Sequence, residues 1–153
     1  MIQQKHDTNP FQEKSFPLVL LLDNISGPAN LGSLFRLADA FNIEKIVSCG
    51  PSVDLTSNRL KRTARATIDS MAFEQQEDPV SACREYAEKG YSILALEIAR
   101  GSQPVESMSY SEFHKIVLVL GNENSGISEE VLGIADLKLH INMFGQNSSM
   151  NVA

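Results

Sequence analysis

Five consecutive apolar residues, Leu18-Val19-Leu20-Leu21-Leu22, form the first strongly patterned stretch of the chain. A run that short and continuous reads as a strand buried on both faces of a parallel sheet. It empties into a turn-rich loop, Asp23-Asn24-Ile25-Ser26-Gly27-Pro28-Ala29-Asn30, after which Leu34, Phe35, Leu37, Ala38 and Phe41 recur at helical spacing. Asn30 stands where an N-cap is expected. Residues 45–49 supply a second strand, closed by Gly50-Pro51, and a helical stretch carrying Arg59, Lys61, Arg62 and Arg65 follows. A short strand is expected within 70–74 and a helix over 79–89, with Pro79 in its first turn and Gly90 just past its end. Further strands are predicted at 91–97, 116–120 and 137–141, a helical turn at 109–114 and a helix from Ser128 to about Ile134. Strands alternating with helices argue for an α/β fold built on a mostly parallel sheet. Residues 1–16 lack either period, so 1–17 is expected to be a polar lead-in and 18–153 the folded domain.

Two of these strands, 116–120 and 137–141, end in loops dense in Gly, Asn and Ser. Ligands bind at the carboxyl ends of strands in open parallel sheets, so these loops are expected to be two lips of one site.

A length of 153 residues fits one domain. The net charge of −6 argues against broad attraction to nucleic acid and leaves any such contact to a local patch. Arg59, Lys61, Arg62 and Arg65 form the one dense basic cluster, either a solvated helix face or an RNA or phosphate contact. Cys49 and Cys83 have no metal or redox spacing and read as buried, reduced thiols. His6, His114 and His140 share no metal-ligand spacing, and no metal is expected. No signal-peptide core or membrane-length apolar run is present, which predicts a soluble, cytoplasmic protein.

Candidate chemistry is sparse when the residues are taken one at a time. Arg36 on an amphipathic helix is ordinarily a solvated charge, whereas Gly32 near the helix entry would let a ligand approach the backbone. Glu123, between Asn122 and Asn124, reads as a turn residue, and Ser148, Ser149 and Asn151 read as caps. Neither the Lys-bearing phosphate loop, the dinucleotide fingerprint nor the Gly-x-Ser-x-Gly elbow occurs.

Taken together, three segments in this order resemble the SpoU (TrmH-like) family of RNA ribose 2'-O-methyltransferases within the SPOUT superfamily. They are Asn30-Leu31-Gly32-Ser33-Leu34-Phe35-Arg36-Leu37-Ala38-Asp39-Ala40-Phe41, Leu120-Gly121-Asn122-Glu123-Asn124-Ser125-Gly126, and the stretch 141–152, which is similar to Ile-Pro-Met-x-Gly followed by Ser-Leu-Asn-Val. The resemblance implies an α/β fold with a C-terminal deep trefoil knot that holds S-adenosylmethionine, and a homodimer that completes the RNA site. By position it implies cofactor contacts at Leu96, Gly121, Ile141, Met143 and Met150, and a polar catalytic site of Asn30, Arg36, Glu123, Ser149 and Asn151. The expected reaction is methyl transfer to a ribose 2'-hydroxyl of tRNA or rRNA, with tRNA favoured because no appended RNA-recognition domain precedes Leu18.

The chain departs from the family at Asn142, where Pro is usual, at Met150 for Leu and at Leu37 for Thr. Asn142 is expected to loosen the cofactor loop, because Pro would fix its backbone. The sequence stops at Ala153, inside the third motif, where the family continues into a helix that helps close the knot and dimer. A longer natural chain is expected, and without its tail poor cofactor binding. The alternative is a catalytically inactive RNA-binding paralogue; methylation of a base atom and a generic nucleotide-binding domain are weaker rivals.

Overall fold

Alternation along each strand divides the apolar residues into two core clusters, one on either face of a single sheet. In β1 (Phe16–Asp23), Val19 and Leu21 join the cluster on one face, and Leu20 and Leu22 the cluster on the other. The same split recurs in β6 (Ile116–Gly121), where Val117 and Val119 face one way and Leu118 and Leu120 the other. Covering both faces leaves no polar side to these strands, which is why they appear as continuous apolar runs. The computed structural model describes residues 3, 5 and 11–153.

The sheet has seven strands in the order β3-β2-β1-β6-β4-β7-β5, every pair parallel. Its remaining strands are β2 (Ile43–Cys49), β3 (Phe73–Gln76), β4 (Ser92–Leu96), β5 (Gln103–Pro104) and β7 (Leu137–His140). Helices α1 (Pro28–Ala40), α2 (Asn58–Ala64) and α3 (Thr67–Ser70) cover one face, and α4 (Pro79–Glu88) and α5 (Glu129–Ile134) the other. Between β1 and β6 the chain order reverses, so their carboxyl ends form a crevice of the kind that binds ligands in open sheets.

Several local expectations are corrected. Gly27, not Asn30, caps α1, because Pro28 can occupy the first helical turn and lets the helix begin earlier. Residues 109–114 form an irregular turn, while a 3-10 turn lies upstream at Val105–Ser107. Strand β5, absent from the expected elements, has two residues and is too short to carry a period. Gly32 serves helix packing rather than a ligand: a Cβ there would lie 1.7 Å from Thr63 Oγ1 and 2.7 Å from the Leu60 carbonyl of α2.

Cys49 and Cys83 lie unpaired in the core on the α4 and α5 face. Burial, reinforced by nearby negative groups, pushes each thiol from an ordinary 9.0 up to about 12. The folded chain therefore keeps protons that the unfolded chain releases, so stability is fully present below pH 9.0 and declines towards about 12. Tyr86 and Tyr91, raised chiefly by burial and then by the Glu74 and Glu44 carboxylates, act in the same direction. We expect the urea midpoint to fall as pH is taken from about 8 to about 11; an unchanged midpoint would contradict this linkage. No helix of the described residues is long and apolar enough to cross a membrane.

Candidate active site

A cavity of ≈ 500 Å³ opens at the carboxyl ends of β4, β6 and β7. Strand β4 delivers Leu96 and Glu97 to it, β6 delivers Leu120 and Gly121, and β7 delivers His140 and then Ile141. The following segment, 141–152, has no regular structure and closes the cavity with Met143, Ser148, Ser149, Met150, Asn151 and Val152.

The loop after β6 is shaped by one side chain. Asn122 Oδ1 accepts from the backbone N–H groups of Asn124 and Ser125 at 2.8 and 3.0 Å, turning the chain back on itself. Its Nδ2 donates to the Asn24 carbonyl at 2.8 Å, tying the loop to the end of β1. The Gly126 N–H donates to the Asn122 carbonyl at 2.8 Å and completes the hairpin. Buried Asp23 accepts from the Ser128 N–H at 2.9 Å, a second tie to β1.

Asn30, in the first turn of α1, donates through Nδ2 to Glu123 Oε1 at 2.6 Å. This bond joins the first and second motifs across a separation that no sequence periodicity reports. Ser148, Ser149 and Asn151 cap no helix and make no hydrogen bond among the described residues, leaving their polar atoms facing the cavity or solvent.

Asn142 is held more firmly than a loosened loop implies. Ser102 Oγ and His140 Nδ1 are 2.8 Å apart, His140 Nε2 lies 3.2 Å from Asn142 Oδ1, and Asn142 Nδ2 donates to Glu106 Oε1 at 2.6 Å. With the proton on His140 Nε2, every member of this series has a donor facing an acceptor. The side-chain bonds therefore fasten the 141–152 segment to the 99–107 loop, a task that Pro would perform through its ring.

The structure thus brings Leu96, Gly121, Ile141, Met143, Met150, Glu123, Ser149 and Asn151 around one cavity, with Asn30 joined through Glu123. Arg36 does not line it; that side chain is exposed on α1. Arg59, Lys61, Arg62 and Arg65 are likewise exposed, on or next to α2, which packs against α1 through the Gly32 contact. Glu97, Asn122 and His140 line the cavity without having been singled out. Glu97 carries the one signal that would have found it, a charged residue directly after a buried strand.

The cavity is electrically one-sided. Glu97 and Glu123 line it, and no Lys or Arg does so among the described residues. Nor, among the described residues, do three His, Cys, Asp or Glu side chains converge as a metal centre requires. The arrangement suits a ligand that is apolar in part, bears hydroxyls or amines, and carries no phosphate.

Comparison with known proteins places this geometry. A sequence model of the SpoU rRNA Methylase family matches residues 17–153. The 23S rRNA (guanosine(2553)-2'-O)-methyltransferase RlmP of Bacillus subtilis is 29% identical over 135 residues, 88% of this chain and 53% of the relative. The crystal structure of the A. aeolicus TrmH/SpoU tRNA modifying enzyme superposes with a TM-score of 0.78 at 26% identity, covering 89% of this chain and 68% of the other. An AdoMet-bound rRNA methyltransferase from Sinorhizobium meliloti has the same fold, with a TM-score of 0.80 at 24% identity over 88% of this chain and 51% of the other. The chain spans between about half and two-thirds of the length of the curated relatives it matches first. With the family's pattern running from Pro17 to Ala153, the chain belongs to the SpoU rRNA Methylase family.

Proposed function

We propose that this protein transfers a methyl group from S-adenosylmethionine to a ribose 2'-hydroxyl of RNA. The observation that carries the reading is the charge of the cavity, with two carboxylates and no Lys or Arg among its lining residues. A phosphate-bearing nucleotide would be repelled there, whereas a nucleoside with a sulfonium is attracted. When bound, the cofactor would supply that electrophilic methyl to the 2'-hydroxyl and leave as the neutral thioether, the hydroxyl proton passing to water. Leu96, Gly121, Ile141, Met143 and Met150 would hold the cofactor, their mostly apolar surface suiting adenine and the methionine chain.

Asn30, Arg36, Glu123, Ser149 and Asn151 form the polar site in this reading. Asn30 fixes Glu123 through the 2.6 Å bond. The Arg36 guanidinium, a cationic fork of five donors with no acceptor, clamps the neighbouring phosphate and stabilises the developing alkoxide rather than removing its proton. Arg59, Lys61, Arg62 and Arg65 extend the cationic surface from α1 onto α2 and bind the RNA backbone.

The same reading makes the protein a homodimer with a C-terminal trefoil knot. Support for the knot is the path of the tail: it leaves β7 near one edge of the sheet, yet Val152 packs on the core beneath α1. Support for the dimer is that exposed Arg36 does not line the cavity, together with exposed Leu37 on α1 and Phe41 at its C-cap. A second copy would cover the apolar pair and bring an Arg36 to the neighbouring cavity. With tRNA ahead of rRNA as its substrate, the protein would work in the cytoplasm.

Isothermal titration with S-adenosylmethionine, followed by tritiated-methyl incorporation into total tRNA and rRNA, tests the reading. Mass spectrometry of the product nucleosides should find a 2'-O-methyl group. RNA binding with no cofactor binding up to millimolar concentration would instead identify an inactive RNA-binding paralogue, and a methylated base would redirect the chemistry.

The Asn142 series yields a separate expectation. Asn142→Ala removes both the acceptor for His140 and the donor for Glu106, and should weaken S-adenosylmethionine binding about tenfold. Thermal unfolding should move little, since the residue lies outside both core clusters. Unchanged affinity in calorimetry would show that the loop needs no such fastening.

A further inference from the structure

We propose that Glu97 is a cofactor-binding residue whose carboxylate accepts hydrogen bonds from the two hydroxyls of the adenosyl ribose. The inference rests on the methyl-transfer reading above and assigns one part of the same cavity.

Glu97 follows Leu96 at the carboxyl end of β4 and is half-buried in the cavity wall. Main-chain groups hold its carboxylate from two sides. The Ile98 N–H donates to Oε1 at 3.2 Å, and the Ile127 N–H donates to Oε2 at 3.0 Å. The facing loop is built around it: a Cβ on Gly126 would stand 2.6 Å from Oε2, and that residue has a φ of 69°. Among the described residues Glu97 has no ion-pair partner.

A carboxylate offers about four lone-pair positions, of which the two backbone bonds use two. Glu97 lines the cavity, and among the described residues no side-chain donor meets its carboxylate. A ligand with matching donors can take up these acceptors in place of water. A vicinal diol presents two neutral donors spaced for the two oxygens of one carboxylate, as acidic side chains at strand ends use in dinucleotide sites. The cationic end of an amino acid is better matched to Glu123, which is exposed and allows the ammonium to remain hydrated.

The test is calorimetric and uses the full-length protein with S-adenosylhomocysteine, its 2',3'-dideoxy analogue and 5'-methylthioadenosine, which keeps the diol but lacks the amino acid. The wild type should bind the dideoxy analogue about tenfold more weakly than the parent. In Glu97→Gln, of equal volume and still able to accept from Ile127, that gap should shrink to about threefold or less. The gap between S-adenosylhomocysteine and 5'-methylthioadenosine should not change. Where the amide variant fails to fold, Glu97→Asp, which withdraws the charge by one methylene, should narrow the diol gap in the same way.

A wild type indifferent to the diol overturns the proposal, as does a variant that keeps the full diol gap. A loss that falls on the methylthioadenosine comparison moves Glu97 to the amino-acid end and overturns it equally. A purely structural role would weaken all three ligands together and leave their ratios fixed. Failure of the wild type to bind S-adenosylhomocysteine at all refutes the methyl-transfer reading, and this inference with it.

Discussion

Arg36→Ala should reduce methyl transfer by about 10²–10³-fold, the cost of losing a group that stabilises charge developing in a transition state. S-adenosylmethionine affinity should stay within a few-fold, because Arg36 lies outside the cavity lining. Its stability should also hold, since the side chain is exposed and neither core cluster includes it. Loss of transfer with binding and folding intact separates a group that acts on RNA from one that shapes the cofactor site. Arg36→Lys should recover little, because an ammonium cannot present the planar pair of donors that grips a phosphate. Tritiated-methyl incorporation measures the first effect and calorimetry the second; full activity in Arg36→Ala would remove the residue from the mechanism.

The same exposure explains what the sequence could and could not disclose. The strands of the two core clusters were legible because burial on both faces leaves an unbroken apolar run, as at Leu18–Leu22. Helix boundaries were less so: Pro28 allows α1 to begin before Asn30, whose polar side chain then serves Glu123 instead of the helix end. Strand β5 escaped because two residues establish no period. Motif residues were identified through resemblance, but their grouping depends on the order β1-β6-β4-β7, which brings together chain segments far apart in sequence. Gly32 shows the limit most clearly. Composition suggests a backbone open to a ligand, whereas the neighbouring helix fills the space where its side chain would be.

Charge separates the two binding tasks of the proposed reaction. The cavity carries carboxylates and the outer faces of α1 and α2 carry Arg36, Arg59, Lys61 and Arg62, so a net charge of −6 coexists with a local cationic track. Salt should therefore weaken RNA binding much more than cofactor binding. The acidic total also limits nonspecific retention on RNA away from that track.

Gly121→Ala should damage both the fold and the cavity. Its added Cβ would lie 2.4 Å from the Gly126 carbonyl carbon and 2.4 Å from the Ile127 nitrogen, with Ile127 Cγ1 at 2.8 Å. Two of these neighbours are backbone atoms, so no rotamer change relieves the contact. On the other side Gly121 is in register with Asp23 of β1, which restricts retreat into the sheet. The loop has to move, and movement strains the Ile127 to Glu97 and Ser128 to Asp23 bonds as well as the Asn122–Gly126 bridge. Overpacking of this kind costs about 1–3 kcal/mol, and displacement of the loop should weaken S-adenosylmethionine binding by more than about tenfold. Gly133→Ala supplies the contrast, because nothing lies within 4 Å of its added methyl in helix α5 and the substitution should stabilise by a few tenths to about 1 kcal/mol. Denaturant titration of the two variants should give shifts of opposite sign, with the loss of affinity confined to Gly121→Ala. If Gly121→Ala instead matches the wild type in both stability and affinity, the loop is free to move and the close passage of Gly126 and Ile127 over β6 does not hold the cavity in shape.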